Sequence, residues 1–237
     1  MIRLARFIAL TGYCSRRAAC RLIEAGAVLV NGRPGKHVDR VTETDSILVE
    51  GQSLEAASEQ IYLIYNKPVG IDCVCDENDP DSIVHQVEAK RRVFPVGRLD
   101  KDSHGLMLLT SDGELCQRIL HPDYFHEKTY RVQVNHKIND EFCMNMALGV
   151  AYGDVVTKPC QIEPLADDLF QVTLTQGLNR QIRNMCRALG YRVVDLQRIR
   201  MVNLSLGTLP DNQYRELTGQ EVRDLTQALG MHSNPEC

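Results

Sequence analysis

Phe94-Pro95-Val96-Gly97-Arg98-Leu99-Asp100-Lys101-Asp102-Ser103-His104-Gly105-Leu106-Met107-Leu108-Leu109-Thr110-Ser111-Asp112-Gly113 is the stretch on which the reading of this chain turns. Pro95, Gly97 and Gly105 mark turning backbone, and Leu106 to Leu109 is a short apolar run of buried-strand type. Between the turns stand Arg98, Asp100, Lys101, Asp102, Ser103 and His104. A polar loop between two buried segments is costly unless its groups are paired or used. Loops also carry function more often than cores do, so the chemistry is expected here. The other reading of the same spacing is a charged surface hairpin.

Working outward, a helix is expected over Gly113–Leu120. The run Lys128-Thr129-Tyr130-Arg131-Val132-Gln133-Val134 alternates as a half-buried strand does, with Tyr130 on the face of Val132 and Val134. Taken alone, Tyr130 reads as a core tyrosine with a satisfied hydroxyl. A helix near 140–148 and strands near 155–162 and 169–175 follow. In Gln176 to Gly190, Leu178, Ile182, Met185, Cys186 and Leu189 make one helical stripe that Gly190 ends. Arg180 and Arg187 fall opposite the stripe, toward solvent or a polyanion. Arg183 lies at its edge, where an arginine can reach into a cleft and take a carboxylate as partner; the plainer reading is a boundary arginine with its head in water.

Upstream, Ile61–Tyr65 reads as a strand, and Asn66-Lys67-Pro68-Val69-Gly70 as a sharp turn with Lys67 at its tip. Val74, Ile83, Val84 and Val87 suggest a short strand and a turn of helix. Strands and helices do not alternate regularly, which excludes a doubly wound sheet. The fold class is α+β: a mixed, largely antiparallel sheet with flanking helices, plus a small N-terminal module. Residues 51–60 lack apolar periodicity and read as a linker, giving domains at 1–50 and 61–237.

In the N-terminal module Leu4, Phe7 and Ile8 repeat at helical spacing up to Gly12. Ser15 is a good N-cap for a second helix with Ala18, Ala19, Leu22 and Ile23 apolar, closed by Gly26. Val28-Leu29-Val30 then enters Asn31-Gly32, the strongest short hairpin signal there is. Val38 and Ile47-Leu48-Val49 read as returning strands.

The net charge of −4 looks wrong for a polyanion binder until it is resolved along the chain. Residues 1–40 carry eight basic side chains against two acidic, and 176–200 carry six arginines against Asp195. Residues 43–59 and 211–237 are acidic. Two basic blocks in an acidic chain form a segregated field that can bind phosphates. Nine scattered cysteines without a Cys-x-x-Cys pair argue against a zinc site and for reduced thiols in a cytosol. No run of about 18 apolar residues and no signal-peptide pattern is present, so a cytoplasmic location is expected, with no membrane partner.

The order Arg3-Leu4-Ala5-Arg6-Phe7, Ser15-Arg16-Arg17, Leu22-Ile23 and Val28-Leu29-Val30-Asn31-Gly32 resembles the S-four-type RNA-binding domain. That resemblance makes Arg3, Arg6, Arg16, Arg17 and Arg21 candidate phosphate contacts, which position RNA rather than read it. Arg187 in the second basic block joins them. Further along, Lys67-Pro68-x-Gly70, Gly97-Arg98-Leu99-Asp100 with Gly105-Leu106-x-Leu108-Leu109-Thr110, Tyr130, and Arg180-Gln181-Ile182-Arg183 resemble the motif set of the RNA pseudouridine synthases. Within them the chain is similar to the bacterial ribosomal RNA group with an N-terminal S-four-type domain. The segments Gln176–Tyr191 and Arg198–Leu206 most resemble its RluF branch, which acts on large-subunit RNA. The resemblance covers about residues 2 to 225.

It implies isomerisation of uridine: the base's bond to C1′ breaks, the base turns, and C5 joins C1′. By resemblance Asp100 is the essential carboxylate, Arg183 the cation that keeps it charged, and Tyr130 the ring that stacks on the base. Ile182 becomes an apolar wall, Arg98 a support for the flipped-out nucleotide, and Lys67 and Arg180 residues of the substrate cleft. No cofactor and no metal are expected, and the chain shows no glycine-rich nucleotide loop. The partner is ribosomal RNA, alone or in an assembling subunit, with small-subunit ribosomal RNA or transfer RNA as alternative targets and the protein acting as a monomer. Ser103 and His104 depart from the usual pattern and receive no role; His104 shows no carboxylate orienter. Some members of this branch carry a long basic C-terminal tail, whereas residues 211–237 are acidic. Two competing readings remain. A non-catalytic RNA-binding assembly factor has no use for Asp100, Tyr130 and Arg183 together. A glycoside hydrolase built on Asp100 and Asp102 lacks the aromatic cleft a sugar needs.

Overall fold

The computed structural model describes residues 1–55 and 59–231, and they form two compact units. The first comprises 1–61, 89–94 and 110–113; the second 62–88, 95–109 and the chain from 114 onward.

In the first unit β1 (Ile2–Arg3) leads into α1 (Leu4–Leu10), and α2 (Arg16–Glu24) follows. The predicted apolar face forms the core: Leu4, Phe7 and Ile8 pack with Ala19 and Ile23. Ser15 caps α2, its hydroxyl accepting the Ala18 N–H at 3.1 Å. β2 (Val28–Val30) turns through Asn31 and Gly32 at φ 50° and 79° into β3 (Arg33–Pro34). Two successive positive φ values are what a tight hairpin between twisted strands requires. β4 (Arg40–Val41) pairs with β1, β5 (Ile47–Val49) with β2, and β6 (Gln52–Leu54) with β5. Two expectations change. Val38 is 72% exposed and lies outside any strand, the returning partners being β3 and β4. Residues 52–54 of the expected linker are the strand β6, because Glu50 and Gly51 turn the chain back on β5; residues 56–58 lie outside the described residues.

The second unit is built on β7 (Tyr62–Lys67), β8 (Phe94–Pro95), β9 (His104–Thr110), α3 (Gly113–Leu120) and β10 (Lys128–Val134). There follow α4 (Asp140–Leu148), β11 (Ala151–Tyr152), β12 (Val155–Val156), β13 (Gln161–Ala166) and β14 (Leu169–Leu174). The chain continues through α5 (Gln181–Ala188), β15 (Val193–Met201), β16 (Leu204–Ser205), β17 (Tyr214–Glu216) and α6 (Gly219–Ala228). The main sheet runs β13-β14-β10-β15-β9-β7-β17. β15 meets β9 in parallel, while β10 is antiparallel to both β14 and β15.

Two cores flank this sheet. Ile182, Met185 and Cys186 of α5 pack with Phe142 and Met146 of α4 onto Val132, Phe170, Val172, Leu174 and Leu196. On the second, Leu115 and Ile119 of α3 and Leu225 of α6 meet Ile64, Leu106 and Leu108. Each such burial is worth about 1.5–3 kcal/mol, so the stripe that ends at Gly190 is what docks α5 on the sheet. Gly105 lets β9 close on β15: it sits at φ 103°, and a Cβ there would lie 2.3 Å from the Arg198 carbonyl oxygen.

Several local expectations shift. The predicted strand over 155–162 is two short pieces, β12 and the start of β13. The turn lysine, Lys67, ends β7 fully buried, its Nζ donating to the carbonyls of Pro68 (2.9 Å) and Ile71 (2.7 Å). The α5 helix starts at Gln181, so Leu178 precedes it and Arg180 is its N-cap in left-handed backbone, φ 47°.

Candidate active site

The loop from Arg98 to Ser103 is held by one local hydrogen bond and by two from the segment around Gly70 and Cys73. Ser103 N–H donates to the Asp100 carbonyl (3.0 Å), a tight turn that turns Asp100 and Asp102 toward a common partner. Gly70 N–H donates to the Lys101 carbonyl (2.8 Å), and Leu99 N–H to Cys73 Sγ (3.4 Å). Lys101 leaves the loop to pair with Asp81 at 2.7 Å.

The N-terminus of α5 delivers two arginines to that turn. Arg180 grips Asp102 with both terminal nitrogens, Nη1 to Oδ1 at 3.0 Å and Nη2 to Oδ2 at 2.9 Å. Its Nη1 lies 3.4 Å from Asp100 Oδ2. Arg183 donates through Nη2 to the Asp102 carbonyl (2.7 Å) and to Ser103 Oγ (3.2 Å). Its buried Nε stands 3.4 Å from Asp102 Oδ2, an ion-pair distance without hydrogen-bond alignment. The Arg180 hydrogen bonds hold the Asp102 carboxyl below the usual range, against burial, with the Arg183 and Arg180 charges adding to the effect.

Asp100, Ser103 and Arg180 of this cluster face a cavity of about 500 Å³. Arg98, Asp100 and Ser103 line one side; Tyr130, Leu174 and Leu196 come from neighbouring strands; Arg180 and Ile182 come from the start of α5. The cavity thus combines an anion beside a cation with one aromatic ring and an apolar wall. Gln181, only 4% exposed, shapes its rim: Oε1 accepts the Leu178 N–H (3.1 Å) and Nε2 donates to Gln176 Oε1 (3.3 Å). Among the described residues no group of three or more His, Cys, Asp or Glu side chains is placed to hold a metal ion.

A family model for RNA pseudouridylate synthase matches residues 61–188, and one for the S4 domain matches residues 2–47. The chain belongs to the RNA pseudouridine synthases. The synthase is 44% identical, over 96% of its own length and 79% of the relative's, to the dual-specificity RNA pseudouridine synthase RluF of Escherichia coli K12. It is 35% identical to ribosomal large subunit pseudouridine synthase B of Bacillus subtilis, over 98% of both chains. A crystal structure of a pseudouridylate synthase superposes with a TM-score of 0.70 at 31% identity, covering 95% of this chain and 100% of the other. The matched fold and families make RNA the class of molecule on which the synthase acts.

Of the site residues expected from the synthase's sequence, Asp100, Arg98, Tyr130, Ile182 and Arg180 line the one cavity. Arg183 and Lys67 do not. Arg183 braces the turn, and the cation beside Asp100 is Arg180, which reading the segment as continuous helix had put on the solvent side. Arg3, Arg6, Arg16, Arg17, Arg21 and Arg187 are all exposed, as phosphate contacts must be.

The second basic block is less available than its count suggests. Arg198 is 1% exposed, with Nε donating to the Leu106 carbonyl at 2.7 Å, and Arg200 pairs with Glu127 at 2.7 Å. His104 has the orienter it lacked in the sequence reading: Nε2 lies 2.9 Å from Asp195 Oδ1 on β15. Burial lowers the ammonium pKa of Lys67, and takes that of Lys128 to about 8 with the charge of Arg198 adding to the effect.

Proposed function

We propose that the synthase converts a uridine of large-subunit ribosomal RNA to pseudouridine, with Asp100 as the carboxylate that acts at the ribose. The observation that carries this reading is the convergence of Asp100, Tyr130, Ile182 and Arg98 on one cavity, with a guanidinium 3.4 Å from the carboxylate. In the reaction the N1–C1′ bond breaks and a C5–C1′ bond forms; the proton on C5 leaves to solvent and N1 takes one up. The step needs an ionised oxygen near the sugar, as nucleophile at C1′ or as base for a ribose proton. Arg180, with Nη1 3.4 Å from Asp100 Oδ2, supplies a positive charge beside such an oxygen.

Tyr130 offers its ring to the detached base, and Ile182, Leu174 and Leu196 exclude water from it. A uridine in a stem-loop must leave its stack to reach this cavity, and Arg98 at the mouth holds the extruded nucleotide. Residues 1–50 anchor the RNA through Arg3, Arg6, Arg16, Arg17 and Arg21, and residues 61–237 carry the chemistry. The ribosomal target is supported by the relative named for the large ribosomal subunit.

The test uses transcripts of large-subunit, small-subunit and transfer RNA, each tritiated at uridine C5. Tritium release from the large-subunit transcript by wild type, absent with Asp100→Ala at equal RNA binding, is the expected result. Release from the other transcripts alone refutes the target. Release by Asp100→Ala refutes the carboxylate.

A further inference from the structure

Asp102 stands two residues from Asp100, has no part in the reaction as read above, and is the most heavily engaged carboxylate in the site. Three contacts meet on its side chain: Nη1 of Arg180 at 3.0 Å, Nη2 of Arg180 at 2.9 Å, and Nε of Arg183 at 3.4 Å. Asp100 receives a single contact from the same guanidinium, at 3.4 Å. Coulomb attraction differs little over that range of distance, so hydrogen-bond geometry decides which carboxylate owns Arg180. A paired fork with short N–H···O contacts is the strongest arrangement available to arginine, and 3.4 Å lies beyond it. The competition for Arg180 is therefore won by Asp102.

We infer that Asp102 is a positioning residue for the isomerisation, holding Arg180 by its fork so that Asp100 keeps a nearby positive charge without being capped by it. The inference rests on Asp100 being the acting carboxylate. A carboxylate closed into a two-point pair with arginine has both oxygens covered and its charge shared, which makes it a poor nucleophile and a poor base. Left with one loose contact, Asp100 keeps 31% of its side chain exposed and lines the cavity.

The turn that carries both carboxylates is secured separately. Arg183 binds the Asp102 backbone carbonyl and Ser103 Oγ, and the Ser103 N–H closes on the Asp100 carbonyl. None of those bonds uses the Asp102 carboxylate, so its replacement spares the loop. The left-handed N-cap at Arg180 aims its side chain at the turn rather than along the helix face. The two hydrogen bonds on the Asp102 carboxylate both come from Arg180, so what it chiefly sets is the placement of Arg180 between two anions.

The test is a double-mutant cycle on the full chain with Asp102→Asn, Arg180→Gln and the combined variant, beside Asp100→Ala. Single-turnover tritium release is measured at saturating enzyme, with RNA affinity by filter binding and Tm by circular dichroism. Asp102→Asn is expected to slow release about 10–100-fold, the scale of losing a group that orients a reacting one, with affinity within threefold of wild type. Freed from Asp102, Arg180 closes on Asp100. Removing Arg180 as well is then expected to cost nothing further, so the double variant is no slower than Asp102→Asn.

The inference is overturned if Asp102→Asn releases tritium within threefold of the wild-type rate, if its defect lies wholly in RNA affinity, or if the two losses multiply. Should Asp102→Asn lower Tm by more than 5 °C, Asp102→Ser carries the same cycle. A wild-type protein that releases no tritium, or an Asp100→Ala variant that does, refutes the underlying reading instead.

Discussion

Replacing Gly105 by alanine tests the packing that sets the catalytic loop in place. Gly105 is the second residue of β9, three positions after Asp102, and its Cα is in register with Arg198 of β15. An added Cβ would stand 2.3 Å from the Arg198 carbonyl oxygen and 2.8 Å from its nitrogen, both backbone atoms in the middle of a nine-residue strand. Neither atom can rotate away, so one strand must move. Backbone at φ 103° adds a penalty for any side chain, of order 1–3 kcal/mol. Overpacking a closed site costs about 1–3 kcal/mol more.

The centre of the combined range is about 4 kcal/mol, which for a domain of this size lowers Tm by roughly 8–16 °C. Tritium release, assayed well below the new Tm, should fall as well, because the register of β9 is what carries Asp100 toward Arg180. Gly113→Ala is the control: nothing stands within 4 Å of its Cβ position, and its stability should stay within about 1 kcal/mol of wild type. A Gly105→Ala protein melting within 2 °C of wild type would show that β9 and β15 do not close as described.

Two further outcomes follow from the charges. Glu221 accepts both Nη atoms of Arg215 (2.8 and 2.7 Å) and the Thr218 N–H (2.8 Å), and these partners take its carboxyl down to about 2. A depressed folded pKa means stability that is complete above the unfolded value and lost as pH falls toward about 2. With 31% of the side chain exposed, solvent screening reduces the pair's contribution to about 1 kcal/mol. Glu221→Gln should therefore cost that much in urea melts at pH 7 and about a quarter of it at pH 2.5; an equal loss at both values removes the ion pair as its cause. In α2, changing Arg16, Arg17 and Arg21 together to Gln should weaken RNA binding across sequences. It should also flatten the slope of log K against log salt by about 2–3, at about 0.7–0.9 for each phosphate no longer neutralised. An unchanged slope means those side chains touch no phosphate.

What could be read in the sequence was local. Ser15 as a cap, Asn31-Gly32 as a turn, and the stripe of Ile182, Met185 and Cys186 each announce themselves within a few residues, because the backbone geometry they serve is decided there. Motif order picked out Arg98, Asp100, Tyr130, Arg180 and Ile182, which line one cavity, and also Arg183 and Lys67, which do not. What the sequence hid depends on backbone state or on distant partners. Arg180 was placed by counting it as helical, but its left-handed N-cap breaks the 100° progression and swings the side chain onto the 100–103 turn. Arg198 was counted in a basic block; its burial follows from the pairing of β15 with both β9 and β10. His104 lacked an orienter only because Asp195 is 91 residues away. Lys67 seemed fit for a turn tip, yet the carbonyls of Pro68 and Ile71 satisfy its ammonium inside the fold.

The chemistry depends most directly on the uncapped oxygen of Asp100. Asp100→Asn preserves the size of the side chain and removes only its charge and basicity. In single-turnover reactions at saturating enzyme on large-subunit RNA tritiated at C5, this variant should bind as wild type does and release no tritium above the no-enzyme rate. Release at a tenth of the wild-type rate or faster, by a preparation free of other synthases, would contradict the assignment of the chemistry to this carboxylate.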